Sequence, residues 1–148
     1  MLRWIFKRFE ELTPAELYDA LALRQKVFIV EQKCAYQDAD GKDKNAHHLL
    51  GYRDEKLVVY ARITFPGVMF KEVAIGRIVS DTEERGKGYG KIAVEKGLDK
   101  IKDIYGNVPV RIAAQSHLVK FYEAFGFAPV DDEYVWDGIK HQDMLKSR

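Results

Sequence analysis

The sequence predicts an α/β fold of three layers, in which a mixed and mostly antiparallel sheet lies between helices. Two observations lead to this prediction. The hydrophobic periodicity changes between strand-like and helix-like repeats, in the order strand, helix, several strands, helix, strand, helix and hairpin. Of the 148 residues, 47% are hydrophobic and 32% are charged, a balance typical of a globular domain with its own core. We therefore expect a single domain over residues 1–148.

The N-terminal segment is predicted to be a strand followed by a capped helix. Residues 2–9 alternate between apolar and polar side chains, as a half-buried strand does. Thr13, Pro14 and Glu16 have the spacing of a capping box with proline in the first turn, so a helix begins here and continues to about residue 30. The polar stretch 33–46 is typical of a long loop, and such loops are often functional.

The rest of the chain divides into strands, two more helices and a closing hairpin. The predicted strands are 48–52, 56–64, 73–80, 110–114, 130–136 and 139–145, and the predicted helices are 91–105 and 117–125. Asp54-Glu55 and Asp137-Gly138 mark two hairpin turns, since Asp-Gly favours a type I′ turn. Ser116 is the expected N-cap of the last helix, and Gly126 stands where that helix would stop.

The run Arg85-Gly86-Lys87-Gly88-Tyr89-Gly90 lies between a predicted strand and a predicted helix. Glycines let backbone N–H groups approach phosphate oxygens, and the helix N-terminus adds a partial positive charge. Arg85 and Lys87 supply full charges for the same oxygens. The run matches neither a nucleotide-binding P-loop nor the dinucleotide fingerprint, so it predicts a phosphate site of another kind, with a plain flexible loop as the alternative.

A second stretch, Gln115 to Phe127, follows a predicted strand and carries an apolar stripe at helical spacing. Together, Arg85-x-x-Gly88-x-Gly90, a helix, a strand and a helix ending in Phe121-Tyr122-x-x-x-Gly126-Phe127 resemble the GNAT family of acyl-CoA N-acyltransferases. The fold of that family agrees with the predicted three-layer α/β/α arrangement.

Three further stretches resemble the ElaA-like branch of the same family. They are Leu23-Arg24-x-x-Val27-Phe28-Ile29-Val30-Glu31-Gln32-x-Cys34-x-Tyr36-x-Asp38-x-Asp40-Gly41-x-Asp43, His48-Leu49-x-Gly51 and Asp137-Gly138-Ile139-x-His141-x-x-Met144. The resemblance covers residues 4–145 and names a branch without naming a substrate.

The resemblance implies transfer of an acetyl group from acetyl-CoA to an amine, by direct attack in a ternary complex and without a metal. It implies that the glycine-rich loop binds the CoA pyrophosphate and that the preceding strand binds the pantetheine arm and supplies an oxyanion donor. The residues concerned are Ile78, Val79, Ser80, Arg85, Gly86, Lys87, Gly88, Tyr89 and Gly90. Gln115 stands where many members carry an asparagine that holds the CoA arm, and Tyr122 matches the general-acid tyrosine. Judged by periodicity alone, Tyr122 would be a core residue.

The general base stays open among several residues. An alkyl ammonium has a pKa near ~10.4, so a base or a water relay must remove a proton before the amine attacks. The candidates are Glu31, His48, His141, Asp38, Asp40 and Asp43. Each also has a structural explanation, as a surface polar residue, a strand-edge residue or part of a solvated loop.

Three arginines lie inside otherwise apolar predicted elements. Arg24 is on the apolar stripe of the first helix, and Arg62 and Arg77 are within strands. A charge at such a position must be paired or must face a pocket. An acceptor with a carboxylate would explain these arginines, and structural ion pairs with Glu31 or a loop aspartate would explain them equally well.

Composition limits the partners and the compartment. Lys and Arg number 24 against 23 Asp and Glu, and this net charge of +1 gives no general attraction to nucleic acid or to a membrane. Cys34 is the single cysteine, which excludes an intramolecular disulfide and favours a reduced, cytoplasmic setting. The expected partner is a small-molecule or peptide amine, and dimerisation in the family makes a homodimer one possible assembly.

Two other functions stay open. Acyl-homoserine-lactone synthases resemble the chain around Arg24-x-x-Val27-Phe28, although they normally lack the complete glycine-rich loop. A catalytically silent module that binds CoA or a protein partner would keep the loop without the chemistry.

Overall fold

The computed structural model describes residues 1–147. The strands are β1 (Arg3–Arg8), β2 (Ala46–Arg53), β3 (Lys56–Thr64), β4 (Val73–Ser80), β5 (Val110–Gln115), β6 (Ala128–Pro129), β7 (Tyr134–Trp136) and β8 (Ile139–Lys146). The α-helices are α1 (Pro14–Arg24), α2 (Tyr89–Tyr105) and α3 (Val119–Glu123). Short 3₁₀ turns lie at Phe9–Glu11, Asp43–Asn45, Thr82–Glu84 and Ser116–Leu118.

The strands form one mixed and mostly antiparallel sheet, as predicted. Its order is β1-β2-β3-β4-β5-β8-β6, with β7 paired to β8. Of the pairs in this sheet only β4 with β5 is parallel, and it is short. This parallel pairing joins the first residues of β4 and β5 in the middle of the sheet, and the glycine-rich loop follows the opposite end of β4.

Helices cover both faces of the sheet and complete the three layers. On one face α1 buries Ala20 and Leu23 against Leu50 and Tyr60. The other face carries α2 and α3, whose buried residues pack against β3, β4 and β5. Removing this apolar surface from water is the main force that holds the layers together.

The first helix begins as predicted and ends differently. The Thr13 side chain accepts a hydrogen bond from the Glu16 N–H, which confirms the capping box. The α-helix ends at Arg24, and Gln25–Glu31 continues as a π-helix, where the prediction had an α-helix to residue 30. In a π-helix each N–H bonds to the carbonyl five residues earlier, as the Gln32 N–H does to the Val27 carbonyl, and this widens the segment.

Two predictions near the C-terminus were wrong in detail. Ser116 is not an N-cap, because it begins a 3₁₀ turn and its buried hydroxyl has no partner among the described residues. The strand predicted at 130–136 is shortened to β7, because the chain turns at Asp131, where φ is +60°. The Asp137-Gly138 turn is confirmed, since both residues have positive φ, as a type I′ turn requires.

Among residues 1–147, no helix is both long enough and apolar enough to cross a membrane.

Candidate active site

A cleft opens in the middle of the sheet because β4 and β5 separate. They pair only at Val73 with Val110 and at Ala74 with Arg111. A bulge then adds one residue to β4 opposite β3, and Arg77 takes the left-handed conformation with φ of +50°. Beyond it, β4 backbone groups on the β5 side have no strand to pair with and face a cavity of about 540 Å³.

The glycine-rich loop closes one end of this cleft. Gly86 and Gly88 have φ of +84° and +78°, which a residue with a side chain rarely adopts. Gly88 is the N-cap of α2, so the first N–H groups of the helix lie at the loop. Of the residues predicted to hold CoA, Ile78, Val79, Ser80, Arg85, Gly90 and Gln115 line the cleft. The segment between Arg85 and Gly90, which both line the cleft, consists of Gly86, Lys87, Gly88 and Tyr89.

Both cations of the loop are paired with carboxylates of the chain itself. Arg85 donates two hydrogen bonds to Glu31, at 2.5 and 2.6 Å. Lys87 donates to Glu84 at 2.5 Å, and Arg53 also pairs with Glu84. The Arg85–Glu31 pair is exposed, so water screens it and exchange of the carboxylate for a phosphate costs little. The two cations therefore remain predicted phosphate ligands.

Tyr122 lies on α3 in the cleft wall. Its ring is buried edge-to-face against Phe121 and Phe127, and burial raises the pKa of its phenol. The phenol is consequently protonated at neutral pH. Among residues 1–147 no side chain is hydrogen-bonded to its oxygen. Both properties suit a proton donor.

Gln115, at the end of β5, is paired across the cleft with Gln32 at the end of the π-helix. The two side-chain amides exchange hydrogen bonds of 3.3 Å in both directions. Sequence reasoning did not single out Gln32. The pair bridges the two walls, and each amide keeps a second N–H and a second lone pair for a ligand in the cleft.

His48 does not belong to the cleft, and its nomination as a base is corrected here. It is fully buried on β2, and its Nε2 donates to the Asp43 carbonyl at 2.8 Å. Since Nε2 is the donor, Nδ1 accepts from the Tyr60 hydroxyl at 2.6 Å. Burial lowers the pKa of His48 and both nitrogens are occupied, so the ring anchors the loop to the sheet.

Glu31 and His141 both line the cleft. The hydrogen bond from Arg85 lowers the pKa of Glu31 below its ordinary value. His141 Nδ1 lies 2.8 Å from the Ile139 carbonyl, which can only accept, so Nδ1 carries a proton and the neutral ring has its lone pair on Nε2. Tyr134 and Trp136 pack against the ring.

The aspartates of the 33–46 loop form an ion-pair network with the three arginines. Arg24 is fully buried and binds Asp38 and Asp43, at 2.8 Å each. Arg62 binds Asp40 and Asp43, at 2.8 and 2.9 Å. Arg77 joins the network through Asp38 at 2.7 Å. The pairing with loop aspartates was one of the alternatives that the sequence left open, and pairing of Arg24 with Glu31 is excluded.

The network is charged at neutral pH. Burial by itself would raise the pKa of Asp40, but the hydrogen bonds and charge of Arg62 outweigh it and lower the pKa to about 2. The pKa of Asp43 is also lowered, because the hydrogen bonds and charges of Arg24 and Arg62 outweigh the effect of burial. These aspartates lie behind the arginines and are not part of the cleft wall. They are therefore structural carboxylates rather than bases.

Sequence reasoning missed the residues that line the inner end of the cleft, namely Thr64, Met69, Phe70, Ala74 and Gly76. One signal was present. Gly76 interrupts an apolar strand, and a glycine inside a strand often marks a bulge or a close approach of another group. Within residues 1–147, no three His, Cys, Asp or Glu side chains are grouped so that they could hold a metal ion.

A splayed central strand pair, a glycine-rich helix N-terminus and a tyrosine in the wall describe a known architecture. The family model of the acetyltransferase (GNAT) domain matches residues 12–148. The chain belongs to the GNAT family. Both the resemblance and the fold predicted from the sequence are confirmed.

Three similar proteins place the chain near ElaA. A crystal structure of an acyl-CoA N-acyltransferase from Pseudomonas aeruginosa is 40% identical, covers 99% of this chain and 100% of that one, and has a TM-score of 0.95. The crystal structure of Escherichia coli ElaA is 38% identical, with coverage of 99% and 100% and a TM-score of 0.93. A UPF0039 protein from Synechocystis is 41% identical over 145 residues, 97% of this chain and 94% of that protein.

Two solved structures of low sequence identity show a likeness of fold alone. The acyl-homoserine-lactone synthase LasI is 14% identical with a TM-score of 0.78, over 99% of this chain and 90% of that one. A GNAT acetyltransferase from Elizabethkingia anophelis with acetyl-CoA bound is 12% identical with a TM-score of 0.65, over 99% and 98%.

Proposed function

We propose that this GNAT protein is an N-acetyltransferase that moves an acetyl group from acetyl-CoA to an amine acceptor. The observation that carries the proposal is the separation of β4 from β5 beside the glycine-rich N-terminus of α2. It supplies unpaired backbone groups for an extended amide-containing arm and N–H groups for phosphates. A cytoplasmic setting is part of the proposal, since Cys34 has no second cysteine to pair with.

The donor side of the cleft is proposed to act through its backbone. Ile78, Val79 and Ser80 offer amide groups along the open side of β4, and an N–H there would stabilise the developing oxyanion. The loop at 85–90 would bind phosphates, with Arg85 released from Glu31 as the phosphate takes its place. Acetyl-CoA supplies the activated thioester.

Tyr122 is proposed as the general acid. As the amine nitrogen attacks, a C–N bond forms, the C–S bond breaks, and the departing thiolate takes the phenol proton. The raised pKa of Tyr122 keeps the phenol protonated at neutral pH, so a proton is in place where the thiolate departs. The cleft then returns to its starting state by reprotonation of the phenolate from solvent.

His141 is proposed as the base that removes the ammonium proton. In its neutral form the Nδ1–H is held by the Ile139 carbonyl, so the lone pair on Nε2 is the one available for a proton. His141 pairs with Gln115 across β5 and β8, so both side chains leave the sheet on the same face. Glu31 is the weaker candidate, because its carboxylate is already bound to Arg85 and its pKa is lowered.

The proposal is tested by release of free thiol from acetyl-CoA over a panel of amines, with His141→Gln and Glu31→Gln as matched variants. Both substitutions replace a titratable cleft residue by the same neutral amide. We expect His141→Gln to lower kcat about 100-fold, with acetyl-CoA binding unchanged. Glu31→Gln should change kcat only a few-fold.

Three results would contradict parts of this proposal. The opposite ranking of the two variants would make Glu31 the base. Acetyl-CoA binding without thiol release over the whole panel would favour a silent CoA-binding module. Turnover that requires S-adenosylmethionine would favour a synthase of the LasI kind.

A further inference from the structure

Two buried polar groups at the inner end of the cleft lack hydrogen-bond partners among the described residues. They are Arg62 Nε and Thr64 Oγ1. Arg62 is 1% exposed and Thr64 is 2% exposed, and both residues line the cleft. Positions 62 and 64 are two apart on β3, so their side chains leave the sheet on the same face. Buried polar groups are normally paired, so these two groups are available to a hydrogen-bonding ligand.

The guanidinium of Arg62 cannot rotate to bring its Nε–H to another hydrogen-bond acceptor. One terminal nitrogen donates to Asp40 and Asp43, and the other donates to Asp40 at 3.0 Å. These contacts use three of the five guanidinium N–H donors and fix the orientation of the group, which leaves the Nε–H and one Nη2–H. Since an arginine nitrogen can only donate, the missing partner must be a hydrogen-bond acceptor.

The charges around this position favour an anionic acceptor. Arg62 and Arg77 belong to the cleft wall, whereas the aspartates that neutralise them lie behind the wall. A ligand therefore meets guanidinium groups first. A carboxylate accepts several hydrogen bonds at once, and bonds between charged partners are the strong ones.

The structure leaves room for such a group. Gly76 is directly opposite Arg62 in the β3–β4 register, and Ala74 is opposite Thr64. A Cβ atom built on Gly76 would meet nothing within 4 Å, so the space beside the two unpaired groups is open. Tyr36, Met69 and Phe70 complete the surroundings and offer apolar contacts.

We propose that the amine acceptor carries a carboxylate, which binds the Arg62 Nε–H and the Thr64 hydroxyl, together with an apolar body. The acceptor class is that of amino acids with apolar side chains. This inference rests on the proposed acetyl transfer to an amine, and names the substrate class for the same cleft. The carboxylate takes no part in bond making, and it orients the amine towards the donor side.

The test is calorimetric binding of product-like probes to the protein saturated with CoA, because it does not depend on turnover. N-acetylphenylalanine and N-acetylleucine carry the carboxylate, and N-acetylphenylalaninamide and N-acetylleucinamide replace it by a neutral amide. We expect the acids to bind at least tenfold more tightly than the amides. In Thr64→Val, which keeps the shape and removes the hydroxyl, this preference should fall to about threefold or less.

Two further variants keep the test decisive. Gly76→Ala places a methyl group in the open space beside Arg62 without altering the hydrogen-bonding groups. It should weaken the binding of the two N-acetyl amino acids tenfold or more. Thr82→Val makes the same hydroxyl-to-methyl change outside the inner cleft and should keep the preference. Equal binding of acids and amides by the unaltered protein would overturn the carboxylate site, while thiol release from acetyl-CoA with neutral amines would still support acetyl transfer.

Discussion

The outer half of the cleft, around residues 78–90, presents mainly backbone groups, whereas the inner half, around Arg62, presents charged side chains. The outer half depends on an open strand edge, two glycines with positive φ and one helix N-terminus. The inner half depends on arginines held by aspartates from a loop that lies 14 to 39 residues away in sequence. Local chain geometry therefore forms the glycine-rich loop and helix N-terminus of the outer half, whereas the ion pairs of the inner half depend on tertiary contacts.

This difference explains why the two halves suit different ligands. Backbone N–H groups bind phosphates and amides whatever the rest of the ligand contains. Guanidinium groups in a fixed orientation select the charge and shape of one group. A shared donor molecule on the outer side and a particular acceptor on the inner side match this division.

Substitution of Tyr122 is expected to have the largest effect on the chemistry. In Tyr122→Phe the ring packing is kept and the proton donor is lost, so we expect kcat to fall about 100-fold or more. The Kd for acetyl-CoA should change little. Steady-state thiol release and calorimetry measure the two quantities, and Tyr18→Phe, on the exposed face of α1, is the control. A normal kcat in Tyr122→Phe would exclude it as the acid.

The ion-pair network makes the inner half sensitive to acid. The pKa of Asp40 is lowered in the fold to about 2 from 3.8, so its ionised form is favoured by folding. That contribution, about 2 kcal/mol, is complete above pH ~4 and is lost as the pH falls towards 2. Asp40→Asn should therefore be less stable than the unaltered protein at pH 7, and the two should converge in acid.

Urea unfolding at pH 7, 4 and 3 measures this convergence. Asp54→Asn, at the exposed β2–β3 turn, makes the same change outside the network and should show no such pH dependence. A stability difference for Asp40→Asn that stays constant from pH 7 to 3 would mean that Asp40 does not stabilise the loop by its charge.

A smaller effect is expected from Gly88→Asp in the outer half. The side chain strains a position with φ of +78° and brings a negative charge to the phosphate loop, so acetyl-CoA should bind about tenfold more weakly. Gly106→Asp, at the opposite end of α2 where φ is +79°, is the control for a charged side chain on a strained glycine away from the loop. Unchanged affinity in Gly88→Asp, measured by calorimetry, would show that the phosphates bind elsewhere.

The sequence predicted the parts of the molecule that depend on local rules. The capping box at Thr13, the Asp137-Gly138 turn and the strand–glycine–helix unit all follow from residues close together in the chain. The change from α- to π-helix after Arg24 was not predicted, because periodicity does not distinguish the two. The pairing of Arg24 and Arg62 with particular aspartates could not be predicted, since it is decided by tertiary contacts across the sheet.

The same division applies to the candidate site. The loop at 85–90 and Tyr122 were predicted from motifs, whereas Thr64 and Gly76 became visible only when β3 and β4 were paired. His48 shows the opposite case. A histidine next to an acidic loop in the sequence is a natural candidate for a base, but the fold buries His48 and places both of its ring nitrogens in hydrogen bonds.

The central claim is that the outer half of the cleft binds the acyl donor. Calorimetric titration of the protein with acetyl-CoA tests it most directly, with Gly88→Asp titrated in parallel. The account predicts saturable one-to-one binding that is weakened in the variant. Absence of binding to acetyl-CoA and to longer acyl-CoAs would contradict it.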